Sequence, residues 1–190
     1  MKSLKAQRYI IGITGPFGSG KSTAASFFES HGYKKVYLSS YLEQEAEKRG
    51  LKLTRKILQD IGNELREKFG NGYLMKKALN DLKGEEKVVI DGIRNLGELY
   101  EIKRHSGSIV LGIVANREIR LKRLQGLKRR ESLTKSLFNS LDSRDLGIGE
   151  KMTGLQGAFC LALADVFIDS NGGLENFKKK LNIFLKEYER

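Results

Sequence analysis

The segment Gly15-Pro16-Phe17-Gly18-Ser19-Gly20-Lys21-Ser22 constrains this chain more than any other stretch. It fits G-x-x-x-x-G-K-[ST], a pattern whose spacing has a physical reason. Glycines let consecutive backbone N–H groups converge on phosphate oxygens without a Cβ in the way. The flanks agree. Tyr9-Ile10-Ile11-Gly12-Ile13-Thr14 is a short apolar run suited to a strand buried on both faces. Ser22 to Glu29 reads as a helix, whose N-terminus adds a favourable partial positive charge beside the loop. A strand, a glycine loop and a helix in that order commit the start of the chain to an α/β layout. In it Lys21 reaches phosphate oxygens and the Ser22 hydroxyl is a ligand for Mg²⁺.

The rest of the chain continues the alternation. Lys35–Leu38, Val88–Asp91, Ser108–Ala115 and Asp165–Ile168 read as further strands, with helical patterns between them. Leu53, Ile57, Leu58, Ile61, Leu65 and Phe69 recur at helical spacing and predict an amphipathic helix over 54–69. Further helices are expected over about 40–49, from Asn71-Gly72 to Leu82, and over about 173–188. The expectation is one domain of 190 residues, a five-stranded parallel sheet with helices on both faces. Residues 40–83 are read as an acceptor-binding helical region. Residues 126–149, basic and glycine-flanked, are read as a small helical lid.

Bulk properties bound the partners. No apolar run is long enough to span a bilayer, and the basic start, Met1 to Arg8, lacks the apolar segment of a secretory signal. The single cysteine, Cys160, sits in an apolar stretch and reads as a core thiol, so cytoplasmic residence is expected. His31 and His105 are isolated and make no zinc site. The net charge of +12 raises a nucleic-acid reading. Half of that excess lies between Arg117 and Arg130, where seven basic residues face Glu118 alone. A polyphosphate accounts for such a cluster as well as a nucleic acid does, and no basic stretch is interleaved with aromatics.

Chemistry-bearing residues follow from these placements. Asp91 ends an apolar strand, where ligands of open parallel sheets bind, and is assigned with Ser22 to Mg²⁺. Arg94 lies three residues on and is placed to grip a second, phosphate-bearing substrate. Ser39 and Ser40 close the second strand beside the acceptor's space, where they also read as a helix N-cap. Gln59, Asn63 and Arg66 form a polar stripe on the 54–69 helix, able to read a base and its phosphate. Arg117, Arg120 and Arg123 recur every three residues, and Arg123 is assigned to stack on adenine. Arg129, Arg130 and Arg144, in the lid, are assigned to the charge of the transferring phosphoryl group.

Taken together, Gly15 to Thr23, the Leu38-Ser39-Ser40 strand end, Val88 to Arg94, the Arg117–Arg123 run and the Asn171-Gly172-Gly173 turn resemble nucleoside monophosphate kinases of the P-loop type. Leu58 to Arg66 and Asp91 to Asn95 look like deoxynucleoside monophosphate kinases. Ile13-Thr14-Gly15 and Asn171-Gly172-Gly173 look like the dephospho-CoA kinase branch. The resemblance implies a sheet of order 2-3-1-4-5 together with ATP and Mg²⁺, with Gly15, Gly18, Ser19, Gly20, Lys21, Ser22 and Thr23 on the triphosphate and Asn171 and Gly172 against adenine. Dephospho-CoA kinases carry an aspartate at the end of strand two, where this chain has Ser39 and Ser40. The expected reaction is transfer of the γ-phosphoryl of ATP to a nucleoside or deoxynucleoside monophosphate, by a monomer or homodimer. The alternatives are phosphorylation of the dephospho-CoA hydroxyl and, below that, a nucleic-acid-associated ATPase. A GTPase switch would carry N-K-x-D, and Asn116-Arg117-Glu118-Ile119 lacks both its Lys and its Asp.

Overall fold

A computed structural model describes residues 8–127 and 132–190. Arg129 and Arg130 lie outside the described residues. Five parallel strands form one sheet of order β2-β3-β1-β4-β5, the order the resemblance implies. They are β1 (Tyr9–Thr14), β2 (Lys34–Tyr37), β3 (Lys87–Ile93), β4 (Ser108–Val114) and β5 (Val166–Asp169). The connecting helices are α1 (Lys21–Glu29), α2 (Leu38–Lys48), α3 (Arg55–Phe69), α4 (Tyr73–Asp81), α5 (Leu96–Lys103), α6 (Arg117–Gly126), α7 (Lys135–Leu146) and α8 (Gly157–Ala162), with α9 (Leu174–Tyr188) last.

Side chains alternate across the strands, and the two faces bury two separate cores. Ile10, Val88, Ile90 and Val110 pack under Leu38, Leu58, Leu74, Leu99 and Cys160. Ile11, Ile13, Val89, Leu111 and Ile113 pack against Phe28 of α1 and Phe177, Leu181 and Phe184 of α9. Cys160 is fully buried, and burial pushes its thiol pKa up, as expected of a core thiol.

Three local outcomes differ from the sequence reading, and two of them shape the cleft. First, α2 begins at Leu38 rather than near Ser40. Leu38 is 2% exposed and anchors the first turn in the core, so neither serine is the cap. Tyr37 holds the cap position, and the Ser40 hydroxyl donates back to the Tyr37 carbonyl at 2.7 Å. Second, β3 runs past Asp91 to Ile93. Its register against β1 slips there, Ile13 facing Asp91 and Thr14 facing Ile93. Gly92, at φ 104°, is the extra residue of this bulge, a conformation that a side chain would strain. The bulge re-aims the chain at the strand's carboxyl end. Third, the six-residue α8 had no periodicity to announce it.

Candidate active site

A cleft of about 700 Å³ opens at the carboxyl ends of the strands. Gly18, Gly20, Lys21, Ser22 and Thr23 line one end, and Asp91, Gly92 and Arg94 form its floor. Gln59, Gly62 and Arg66 of α3, with Arg55 at its start, line the other end. Tyr37, Leu42, Leu58, Leu124, Leu127, Leu133 and Leu155 add apolar walls.

The loop is built where only glycine fits. A Cβ on Gly15, at φ 145°, would lie 2.1 Å from the Ile113 carbonyl oxygen. One on Gly18 would meet Leu124 Cδ1 at 2.7 Å. The loop is thereby pressed against β4 and α6. The Ser19 N–H bonds the Pro16 carbonyl at 3.2 Å and closes the turn. Gly20 caps α1 in the left-handed region, so the helix's first N–H groups point from its N-terminus with no intrahelical acceptor. Lys21 is 7% exposed and folds its ammonium onto the carbonyls of Gly15 at 2.7 Å and Pro16 at 2.9 Å. Burial, with Arg94 adding to it, lowers its pKa from 10.5 to about 8 despite the pull of Asp91 and Asp145. Ser22 Oγ donates to Asp91 Oδ2 at 3.0 Å. Burial raises the Asp91 carboxyl, against the opposing charge of Lys21.

Two buried oxygens here have no hydrogen-bond partner: Ser19 Oγ and Asp91 Oδ1. An unmet buried acceptor costs about 1–3 kcal/mol, so such atoms mark where a ligand belongs. A hydroxyl and one carboxylate at 3.0 Å suit Mg²⁺, which takes few protein ligands and completes its shell with water and phosphate oxygens. Among the described residues no cluster of three or more His, Cys, Asp or Glu offers an all-protein metal site. The residues thus fit a nucleotide triphosphate and its magnesium. Lys21 and the loop amides would hold the former, and Ser22 and Asp91 the latter.

The acceptor end is different, because every arginine assigned to it has a carboxylate. Arg66 is 2% exposed and bonds Glu98 Oε1 through Nε at 2.9 Å, with Nη2 at 2.8 Å. Glu98 is fully buried, and its other oxygen accepts the N–H groups of Arg94 at 2.9 Å and Asn95 at 3.2 Å. It completes a capping box with Asn95 that starts α5. Arg66 thus ties α3 to the loop after β3 while still lining the cleft. Gly62 makes this possible: a Cβ there would crowd Arg66 Nη1 at 3.2 Å.

Asp145 of α7 is 3% exposed and bridges two guanidinium groups, Arg55 Nη2 at 2.9 Å and Arg94 Nε at 3.3 Å. Gln59 Nε2 lies 3.3 Å from both Asp145 Oδ1 and the Leu141 carbonyl. Burial alone would raise this carboxyl, but Arg55, Arg94, Lys21 and the Gln59 amide together hold it at about 2. One helical turn earlier, Asp142 takes Arg120 at 2.5 and 3.0 Å, and Arg120 Nη1 reaches the Phe17 carbonyl of the loop at 2.8 Å. The Arg55 guanidinium stacks over the Phe17 ring, 3.9 Å from its centroid.

Ser39 and Ser40 line the cleft beside Glu43. Arg123 also lines it, donating to Ser170 Oγ at 2.8 Å and Ser170 O at 2.5 Å. Ser170 in turn bonds the Ser19 carbonyl at 2.7 Å, which steadies the loop. Other assigned residues are not brought to the cleft. Asn63 donates to Glu150. Arg144 pairs with Glu150 and with Asp60 of α3, each at 2.6 Å, and does not line the cleft. Asn171 accepts from the Asn116 N–H at 2.8 Å, and Gly172 adjoins Asn176. Arg55, Asp142, Asp145 and Glu98 did not stand out in the sequence. The available signal was Asp142 and Asp145, one turn apart in an arginine-rich region.

Sheet order, glycine loop and cleft together define a P-loop kinase-like protein. Residues 11–146 match the AAA domain family. A UPF0200 protein of Methanocaldococcus jannaschii is 30% identical over 94% of this chain and 89% of its own length. A UPF0200/UPF0201 protein of Archaeoglobus fulgidus is 32% identical over 93% of this chain, which spans 54% of that protein. This chain belongs to the UPF0200 family. Among solved structures, it superposes on shikimate kinase from Acinetobacter baumannii with a TM-score of 0.59 at 19% identity, covering 96% of both chains. Dephospho-CoA kinase from Campylobacter jejuni gives 0.51 at 18% identity, covering 95% of this chain and 97% of that one. Similarity spread over kinases of such different acceptors shows the fold and selects no dephospho-CoA kinase branch.

Proposed function

We propose that this protein transfers the γ-phosphoryl of ATP to the phosphate of a nucleoside or deoxynucleoside monophosphate. The observation that carries the reading is one cleft with Lys21, Ser22 and Asp91 at one end and Arg55, Arg94 and Gln59 at the other. The bond between Pγ and the bridging oxygen of ATP breaks, a bond from an acceptor phosphate oxygen to Pγ forms, and ADP leaves. Magnesium, when bound, neutralises phosphate charge. The chain supplies the rest. Lys21 and the loop amides hold the triphosphate, Asp91 orients Ser22, and Arg94 and Arg55 hold the acceptor's anion. The apolar wall of Leu42, Leu58 and Leu155 suits a base. A phosphate acceptor needs little base catalysis, so positioning and charge supply most of the rate. Within the proposed lid, 126–149, α7 is the described helix, and its Asp145 pairs with the cleft residues Arg55 and Arg94.

A hydroxyl acceptor, as in dephospho-CoA, is the second reading. Asp91 favours it, because an unpartnered oxygen with a raised pKa is what a general base needs. A coupled assay of ADP release with Mg·ATP, a panel of monophosphates and dephospho-CoA separates the two. Turnover with a monophosphate supports the proposal. Turnover with dephospho-CoA alone supports the second reading, and turnover with neither overturns both.

A further inference from the structure

Asp145 is an unusual tenant for an acceptor site. It is a nearly inaccessible carboxylate placed between the two guanidinium groups that face the incoming anion. It uses one nitrogen of each and takes a third contact from Gln59. The Gln59 amide orientation is chemically fixed, since the reverse would set its oxygen against the Asp145 carboxylate and the Leu141 carbonyl. Gln59 also lines the cleft, and its Oε1 is buried without a partner.

We infer that Asp145 is a resident counter-ion held behind Arg55 and Arg94, so that an acceptor's anionic group binds these two guanidinium groups from the cleft against a like charge. This rests on reading that end of the cleft as the acceptor site. Arg55, Arg94 and Asp145 together carry a single positive charge, so a small free anion gains little by entering. An acceptor whose body also fills the wall of Leu42, Leu58 and Leu155 gains enough to enter. Asp145 is thereby the specificity-determining residue that keeps inorganic phosphate out of a phosphotransfer site. It remains charged at any working pH, because the surrounding cations hold its pKa at about 2.

The alternative is that Asp145 only orients the arginines. The two roles predict opposite signs. Removing a like charge a few ångströms from a bound anion strengthens binding by about tenfold or more at an effective dielectric near 20. Losing an orienting contact weakens it. The test is titration of inorganic phosphate into protein saturated with Mg·ADP, read by calorimetry and by melting temperature. Asp145→Asn should bind phosphate at least about tenfold more tightly than wild type, and Asp145→Glu should not. Adding Arg94→Gln to Asp145→Asn should abolish the gain, which places the phosphate at this end of the cleft. Equal or weaker phosphate binding by Asp145→Asn overturns the inference. If that variant folds only with phosphate present, the inference is supported, because an external anion has replaced the carboxylate. Failure to fold at any phosphate concentration overturns it. No part of this test involves turnover, so its failure and failure of the kinase reading are separate results.

Discussion

The two ends of the cleft handle buried charge in opposite ways. At the glycine loop, polar atoms are left wanting. Ser19 Oγ and Asp91 Oδ1 have no partner, and Lys21 is parked on its own loop's carbonyls. At the α3–α7 end the charges are paired from within, Arg66 by Glu98 and Arg55 and Arg94 by Asp145, although Gln59 Oε1 and Arg94 Nε make no hydrogen bond. The first end is a site waiting for its ligand's charge. The second is a scaffold that is stable without one and must give something up to bind. Mutations at the first should cost turnover with little stability, and mutations at the second should cost stability as well.

Lys21→Ala tests the first half and carries the largest expected effect. Turnover should fall by about a thousandfold or more, roughly 4 kcal/mol of transition-state stabilisation, with no loss of melting temperature at neutral pH, since the variant also sheds a buried charge. A variant that keeps its rate would show that phosphate handling lies elsewhere. Glu98→Ala tests the second half. It strands the buried Arg66 guanidinium and unpins the Arg94-Asn95 loop, so chemical denaturation should report a loss of about 3–5 kcal/mol. A loss below about 1 kcal/mol would mean the pair is not the tie it looks to be.

A proton balance sharpens the contrast. Lys21 has a folded pKa of about 8 against 10.5 unperturbed. Its charged form is therefore disfavoured by folding. That penalty is fully present below about 8 and is relieved as pH rises toward 10.5, where the unfolded chain still holds the proton. A triphosphate favours the charged amine, so nucleotide binding at pH 9 should take up most of a proton and at pH 6.5 almost none. Calorimetry in buffers of different ionisation enthalpy reads this directly. Equal uptake at both pH values, or uptake that persists in Lys21→Ala, would remove Lys21 from the phosphate site. The smallest effect is expected at Arg144, which pairs with Glu150 and Asp60 away from the cleft. Arg144→Ala should cost about 1–2 kcal/mol of stability, because the largely buried Glu150 keeps Asn63 and the Leu155 N–H as partners, and should leave acceptor KM within about twofold. A large KM change would mean that α7 turns this arginine inward during the reaction.

The loop end was legible in the sequence because it is local. Eight consecutive residues encode the turn, the cap and the lysine, and apolar runs on either side encode the strands around it. Asp91 was legible for the same reason, though its bulge at Gly92 was not. The acceptor end is assembled from residues 32 to 90 positions apart: Arg66 with Glu98, and Arg55 with Asp145. A polar stripe on α3 announces that side chains face something, but not whether they face a ligand or a buried carboxylate from another helix. Arg66 and Asn63 look identical in a helical pattern, yet one meets Glu98 and the other Glu150. Arg144 shares the basic region with Arg120 and Arg123, and the turn of α7 sends it to Asp60 of α3 and Glu150 instead of the cleft.

The most direct test of the account is a single-turnover reaction with γ-labelled ATP, Mg²⁺ and a panel of nucleoside and deoxynucleoside monophosphates. The account predicts label on a nucleoside diphosphate product from at least one of them, and none with Lys21→Ala. Label found only in inorganic phosphate, at a rate indifferent to every acceptor, would contradict it.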